Sequence, residues 1–242
     1  GTSGEVNTTN ETYVSWSWKA GGTAVSNTDG TVTSQVSANV DAGFSITTFT
    51  ANATTLTSGH GLNSTPDLII VKTTSFADSW FVNSSALTNQ TNRGLRLNQS
   101  SAEETNNAFW NNTAPTSTTF SLGNGVSVSG QSYVAYSWHS VAGYSKIGSY
   151  TGNGSATGPT IVTGFEPAWI MIKRTDATAN WRILDNKRST TNPINKELYP
   201  PLSNAEGTFS ALDFLSNGFQ IINTDSSYNA SGGAYLYMAF AT

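Results

Sequence analysis

The chain has two histidines, His60 in a Gly-His-Gly turn and His139 at the end of the run YVAYSW. Metal binding would need them paired as HxH or HxxxH, or placed beside cysteine, and cysteine is absent. Both are read as structural, with no metal site and no cofactor expected. A Ser-His-Asp triad leaves no local trace when its members are far apart, and no GxSxG elbow announces one.

The glycine run Gly152-Asn153-Gly154-Ser155-Ala156-Thr157-Gly158 invites comparison with a phosphate loop. It lacks the Gly-Lys-Ser/Thr ending, and Pro159-Thr160-Ile161-Val162 continues it as a strand where a phosphate loop opens a helix. A hairpin turn is the expectation. Glycoside hydrolysis would need two carboxylates across a cleft, for which Glu103, Glu104, Glu166, Asp176, Asp185, Glu206 and Asp213 are the candidates. Glu103 and Glu206 fall at matching places in an internal repeat, which suits a fold requirement such as a carboxylate accepting backbone hydrogen bonds. The chain is therefore not expected to be an enzyme.

Aromatic rings can also do chemistry, by stacking on sugar faces. Trp110 in FWNNTAP stands without an aromatic counterpart in the second half and is flanked by polar residues. Trp110, Asn111 and Asn112 form the candidate glycan-binding loop, against the alternative of a Trp that anchors the loop.

The elements that carry these residues repeat. PDLIIVK at Pro66 falls on PAWIMIK at Pro167, and Trp80 falls on Trp181, both at an offset of 101. Phe49 falls on Tyr150, SAEET at Ser101 on NAEGT at Asn204, and Tyr133 of YVAYSW on Tyr235 of YLYMAF. FSLGNG at Phe120 is laid beside FLSNG at Phe214. Pro66, Trp80, Tyr133, Trp138, Pro167, Trp181 and Tyr235 are accordingly expected in the repeated cores.

Alternation is strict in YVAYSW, where Tyr133, Ala135 and Ser137 face one way and Val134, Tyr136 and Trp138 the other. LIIVK and WIMIK read as central strands, and Gly/Asn clusters such as SGHG, LGNG and NASGG separate the strands. The expected fold is all-β, with two tandem antiparallel β-sandwich units at residues 43–140 and 141–242. Residues 20–42 form a connector, either an extended arm or a hairpin at Thr28-Asp29-Gly30. YVSWSW, with Tyr13, Val14, Trp16 and Trp18, reads as the closing strand of an earlier unit within residues 1–19, or as an assembly strand that docks on a neighbour.

Composition agrees. Only 11% of residues are charged, against about 25% in an ordinary domain, and Ser, Thr, Asn and Gly supply the polarity. Seven Trp, nine Tyr and eleven Phe argue against disorder. A net charge of −4 gives no basic field for nucleic acid or anionic lipid, and no apolar run is long enough for membrane insertion. Ten Asn-x-Ser/Thr sequons are near what this composition produces by chance, so they assign no glycosylation.

YVSWSWKAGGTAVSNTDGTVTSQVSANVDAGFSITTFT, HGLNSTPDLIIVK, WNNTAPTSTTFSLG, YVAYSWHSVAGYSKIGSYTGNGS, GFEPAWIMIKRTD, LDFLSNGFQI and NASGGAYLYMAFA together resemble a repeat domain of unknown function. That domain occurs in large structural proteins of marine tailed bacteriophages, cyanophages among them, often labelled tail or fibre proteins. One departure is Ala51-Asn52-Ala53-Thr54, where the family has GNGT-like turns. The resemblance implies a virion-surface or extracellular structural protein, homo-oligomeric or bound to neighbouring virion proteins, with host surface glycan as a further partner. It supplies no catalytic residues. The alternative reading is a non-viral filament or matrix subunit assembled by strand complementation. A carbohydrate-active enzyme ranks third.

Overall fold

A computed structural model describes residues 8–242. Residues 1–7, part of the expected upstream strand unit, lie outside the described residues. The chain is all-β and its ladders are antiparallel. Eight strands form the first sheet: β1 (Val25–Asn27), β2 (Ser34–Asn39), β3 (Phe44–Thr50), β5 (Leu68–Thr73), β6 (Phe81–Ser84), β7 (Arg93–Arg96), β8 (Glu104–Thr105) and β10 (Ser132–Trp138). Their order is β1-β2-β3-β10-β5-β6-β7-β8, while β4 (Leu56–Gly59) and β9 (Thr119–Leu122) pair separately.

The second sheet contains β11 (Ser145–Thr151), β12 (Thr160–Val162), β13 (Trp169–Arg174), β14 (Arg182–Asp185), β15 (Ile194–Leu198), β16 (Gly207–Leu215), β17 (Gly218–Ile221) and β18 (Ala234–Phe240). Its order, β11-β18-β13-β14-β15-β16-β17-β12, puts two strands consecutive in the chain at opposite edges, so it nearly closes into a barrel. Two one-turn helices complete the fold, α1 (Asn107–Trp110) and α2 (Ser226–Asn229).

Period-two alternation divides the apolar residues among three cores. Ile69, Val71, Tyr133 and Ala135 point into the first sheet's own core. Ile170, Ile172, Tyr235, Tyr237 and Ala239 do the same in the second. The intervening residues Leu68, Ile70, Trp138, Trp169, Met171, Leu236, Met238 and Phe240 meet in a third core shared by the two sheets. β5, β13 and β18 are thus covered on both faces, which is why they read as continuous apolar runs rather than alternating ones.

Local geometry recurs between the sheets. Phe49 stacks on Tyr133 with ring centroids 5.5 Å apart, and Tyr150 stacks on Tyr235 at 4.7 Å. Phe120, however, corresponds to Phe219 and not to Phe214. Phe120 lies on β9, 6.3 Å from Phe49, and Phe219 lies on β17, 6.2 Å from Tyr150. Similar lettering around Phe214 hid a register difference.

Segment 20–42 takes the hairpin alternative: β1 and β2 pair across a loop that contains Thr28-Asp29-Gly30, and β2 adds to the edge of β3. The glycine run 152–158, by contrast, is no hairpin turn, because β11 and β12, which it joins, do not pair. It is folded around the buried Asn229, whose Nδ2 donates to Asn153 Oδ1, Ser155 O and Asn223 O at 3.0, 2.7 and 2.8 Å.

Candidate functional site

The site with the densest chemistry is the seam where the N-terminal segment crosses the shared core. Residues 11–20 take no regular secondary structure and enter no ladder, so Tyr13, Val14, Trp16 and Trp18 do not form the expected sheet strand. Side-chain docking replaces backbone pairing. Alternation turns Trp16, Trp18 and Ala20 toward the protein, where all three pack on the shared core.

Trp18 lies edge-on to Trp169 at 5.3 Å, to Phe240 at 5.5 Å and to Trp138 at 6.2 Å. It therefore touches both sheets. Trp16 meets Trp169 at 6.4 Å, donates its indole N–H to Asp185 Oδ2 at 3.2 Å and lies under the Arg188 guanidinium at 5.4 Å. Edge-to-face pairs of this kind contribute roughly 0.5–1.5 kcal/mol each beyond their buried area. Asn39 Nδ2 fixes the strap further on by donating to Lys19 O at 3.1 Å.

Beside Trp18 opens an apolar groove of about 300 Å³ lined by Phe44, Ile46, Ile70, Trp80, Tyr136 and Trp138. Trp80 stacks on Tyr136 at 6.5 Å and Tyr136 on Trp138 at 6.2 Å, so a row of rings floors it. Trp80, expected in a core, is half-buried because it stands at this open margin. Its counterpart Trp181 is 1% exposed and donates to Arg96 O at 2.9 Å across the seam.

A second set of contacts ties the loop after β7 to the second sheet. Glu103 N donates to Thr175 O at 2.8 Å, and Ala179 N donates to Ser100 O at 2.9 Å. The buried Lys173 ammonium donates to Ser100 O at 3.2 Å and Arg174 O at 2.7 Å. Burial, reinforced by the neighbouring Arg174 charge, pulls its pKa down to about 8.

Trp110 is not an exposed stacking platform. It is 2% exposed, packs edge-on to Phe109 and donates its indole N–H to Arg93 O at 2.8 Å. The one-turn helix α1, capped by Asn106, turns the ring inward, and its partners Asn111 and Asn112 remain outside with positive φ of 53° and 51°. Burial of both Phe109 and Trp110 by a single turn is not visible from flanking polar residues. Pro66, Pro167, Tyr133, Trp138 and Tyr235 are all buried.

The carboxylates are largely engaged by cations. Glu103 lies 3.6 Å from Arg93 and accepts from Thr88 N at 3.2 Å, while Glu104 pairs with Arg96 at 3.1 Å. Asp185 pairs with Arg188 at 2.7 Å, Glu206 with Arg188 at 3.1 Å and Lys196 at 3.4 Å, and Asp176 with Arg174 at 2.8 Å. Glu166 is exposed and Asp213 half-buried.

Sequence reasoning missed the buried Glu197, which accepts from Arg182 and Tyr228, each at 2.6 Å, and from Tyr199. Burial and the nearby carboxylate push the Tyr199 hydroxyl up to about 12. His60 is fully buried, its Nδ1 accepting from Leu62 N at 3.2 Å and its Nε2 lying 3.2 Å from Thr116 O. No group of three or more His, Cys, Asp or Glu among the described residues is placed to hold a metal ion.

A family described as a domain of unknown function, DUF7483, matches residues 1–242. The chain belongs to that family. No curated protein and no solved structure matches it. Among the described residues, no helix is long and apolar enough to cross a membrane.

Proposed function

We propose that this DUF7483 chain is a structural module of a tailed-phage virion, part of a tail fibre or surface appendage, acting by holding sheets in fixed relative positions. The observation that carries the reading is the seam. Two sheets share one core, backbone bonds cross between them, and the Trp16–Trp18 strap covers the join. Such a body transmits load without a hinge. We infer that the sheets descend from duplicated units at 43–140 and 141–242, supported by a strand order that matches over six strands, β3-β10-β5-β6-β7-β8 and β11-β18-β13-β14-β15-β16, and by recurring ring stacks.

Paired carboxylates and buried aromatic rings support a framework role over catalysis. The likeness to phage tail and fibre proteins, carried by the motifs quoted above, supplies the virion setting. Strand donation by Tyr13–Trp18 is less well supported, because Trp16 and Trp18 are already packed on their own chain.

Immunogold electron microscopy tests the proposal, with antibody raised to residues 43–242 and applied to the untreated source sample. Gold confined to phage particles is the expected result, and it would distinguish tail from capsid. Gold along free fibrils with bare particles would overturn it in favour of a filament subunit.

A further inference from the structure

The outer edge of β11 is bare where the matching edge of β3 is covered. In the first sheet β2 flanks β3, with Gln35 opposite Thr48, Ser37 opposite Ile46 and Asn39 opposite Phe44. In the second sheet β11 pairs with β18 alone among the described residues, and none of their strands stands in the place of β2.

Register identifies the groups left at that edge. Ser145 lies opposite Phe240, and Ala241 N donates to Tyr144 O at 2.8 Å. This makes Ser145 a non-hydrogen-bonded position, so Ser145, Ile147, Ser149 and Thr151 all turn their N–H and C=O away from β18. Val141 takes both groups of Ser145, at 2.9 and 3.1 Å, and Ser140 Oγ accepts from Ile147 N at 3.0 Å. Remaining at the edge are the carbonyl of Ile147 and both backbone groups of Ser149 and of Thr151. Among the described residues none of these has a protein partner.

We propose that this edge docks the same edge of a second copy, the two β11 strands pairing antiparallel about a two-fold axis at Ser149. In that register Ser149 N–H and C=O bond their symmetry mates, and each Thr151 N–H meets the Ile147 carbonyl of the other copy. Four of the five bare groups on each copy are thus self-complementary, as an isologous interface requires; the Thr151 carbonyl faces the Ile147 N–H that Ser140 Oγ already holds and stays outside the pairing. Ser149 and Thr151 have exposed hydroxyl side chains that offer no steric bar. Lys146, the one charge on the strand, falls opposite Gly152 of the other copy, so like charges do not meet.

An edge of this form accepts a strand that already belongs to a sheet. β2 lies against β3 while carrying β1 on its far side. The interface would hold wherever the protein acts, so it stands apart from the virion reading.

Sedimentation velocity of the full chain over a wide concentration range tests it, beside Ser149→Pro. Proline removes an N–H that faces away from β18, so it deletes interface bonds and spares the ladder. A concentration-dependent dimer, weakened at least tenfold in the variant, is the expected result. A wild-type chain monomeric at millimolar concentration, or a variant that dimerises equally well, would overturn the proposal. Amide exchange of the wild type gives a measurement independent of whether the variant folds. Ser149 and Thr151 amides should become protected as concentration rises, and fast exchange in the dimer would overturn it. Loss of the dimer on deleting residues 1–15 would overturn it too, pointing to a strand donated by the N-terminal segment.

Discussion

Tyr133 and Tyr235 make the same hydrogen-bonded corner in the two sheets. Each hydroxyl accepts from the backbone N–H five residues upstream, Val128 at 2.9 Å and Ala230 at 2.8 Å. Each donates to a carbonyl of the same loop, Val126 O at 2.9 Å and Ser226 O at 2.7 Å. One tyrosine on a central strand thereby closes the loop that leads into it.

Removing either hydroxyl should therefore cost alike. Tyr133→Phe and Tyr235→Phe are each expected to lose about 1–2 kcal/mol, the price of one donor and one acceptor left without their partner. Urea denaturation of both variants checks this, and a loss at one site only would show that the corners are not equivalent in energy.

Much of this was legible in the sequence, and the misses have physical causes. Tyr133 announced itself because a period-two pattern fixes which face a residue takes, Trp181 through its repeat offset from Trp80, and the LIIVK and WIMIK runs as short unbroken apolar stretches, the mark of strands covered on both faces. Trp110 did not, because a single helical turn redirects a ring without leaving a periodic trace. The strap was visible as an alternating run, yet alternation fixes a face and not a hydrogen-bond partner, so Trp16 and Trp18 read as a sheet strand. Glu197 was unreadable, since Arg182 and Tyr228 reach it from distant parts of the chain.

His60 predicts acid sensitivity. Burial lowers its pKa from 6.5, with the Thr116 hydrogen bond opposing this. The unfolded chain then binds the proton first, so stability is complete above pH 6.5 and falls as pH drops toward the folded value. Melting temperature followed from pH 7.5 to 5 should decline, and His60→Gln should flatten that decline.

Lys173 predicts the opposite end of the scale. Its folded pKa of about 8 lies below the ordinary 10.5, so between those values only the unfolded chain stays protonated and stability rises with pH, by at most about 3 kcal/mol. Above pH 10 the trend reverses, because Tyr199, raised to about 12, keeps its proton in the folded state while the unfolded chain loses it. Lys173→Met should remove the rise between pH 8 and 10 and leave the fall above it. A denaturation series at fixed ionic strength reads both limbs, and an unchanged rise in the variant would assign it elsewhere.

Trp18 is the residue whose loss should be felt by both sheets. Its ring touches Trp138 on β10 and Trp169 and Phe240 at the ends of β13 and β18, so truncation opens a cavity where the two sheets meet. Trp18→Ala is expected to cost about 2–4 kcal/mol, toward the lower part of the range for large-to-small changes because the ring is half-buried. Trp16→Ala should cost less, about 1–2 kcal/mol, since its ring pair, hydrogen bond and cation contact are with Trp169, Asp185 and Arg188, all from the second half of the chain. The shape of the transition is more telling than its midpoint. A shared core makes the wild-type sheets unfold together, whereas Trp18→Ala should uncouple them and lower the apparent m-value. Amide exchange should show the same effect, with protection falling in Leu68–Thr73 and Trp169–Arg174 alike. Loss confined to one strand would mean that Trp18 belongs to one sheet and that the seam is held by the Lys173 and Trp181 contacts alone.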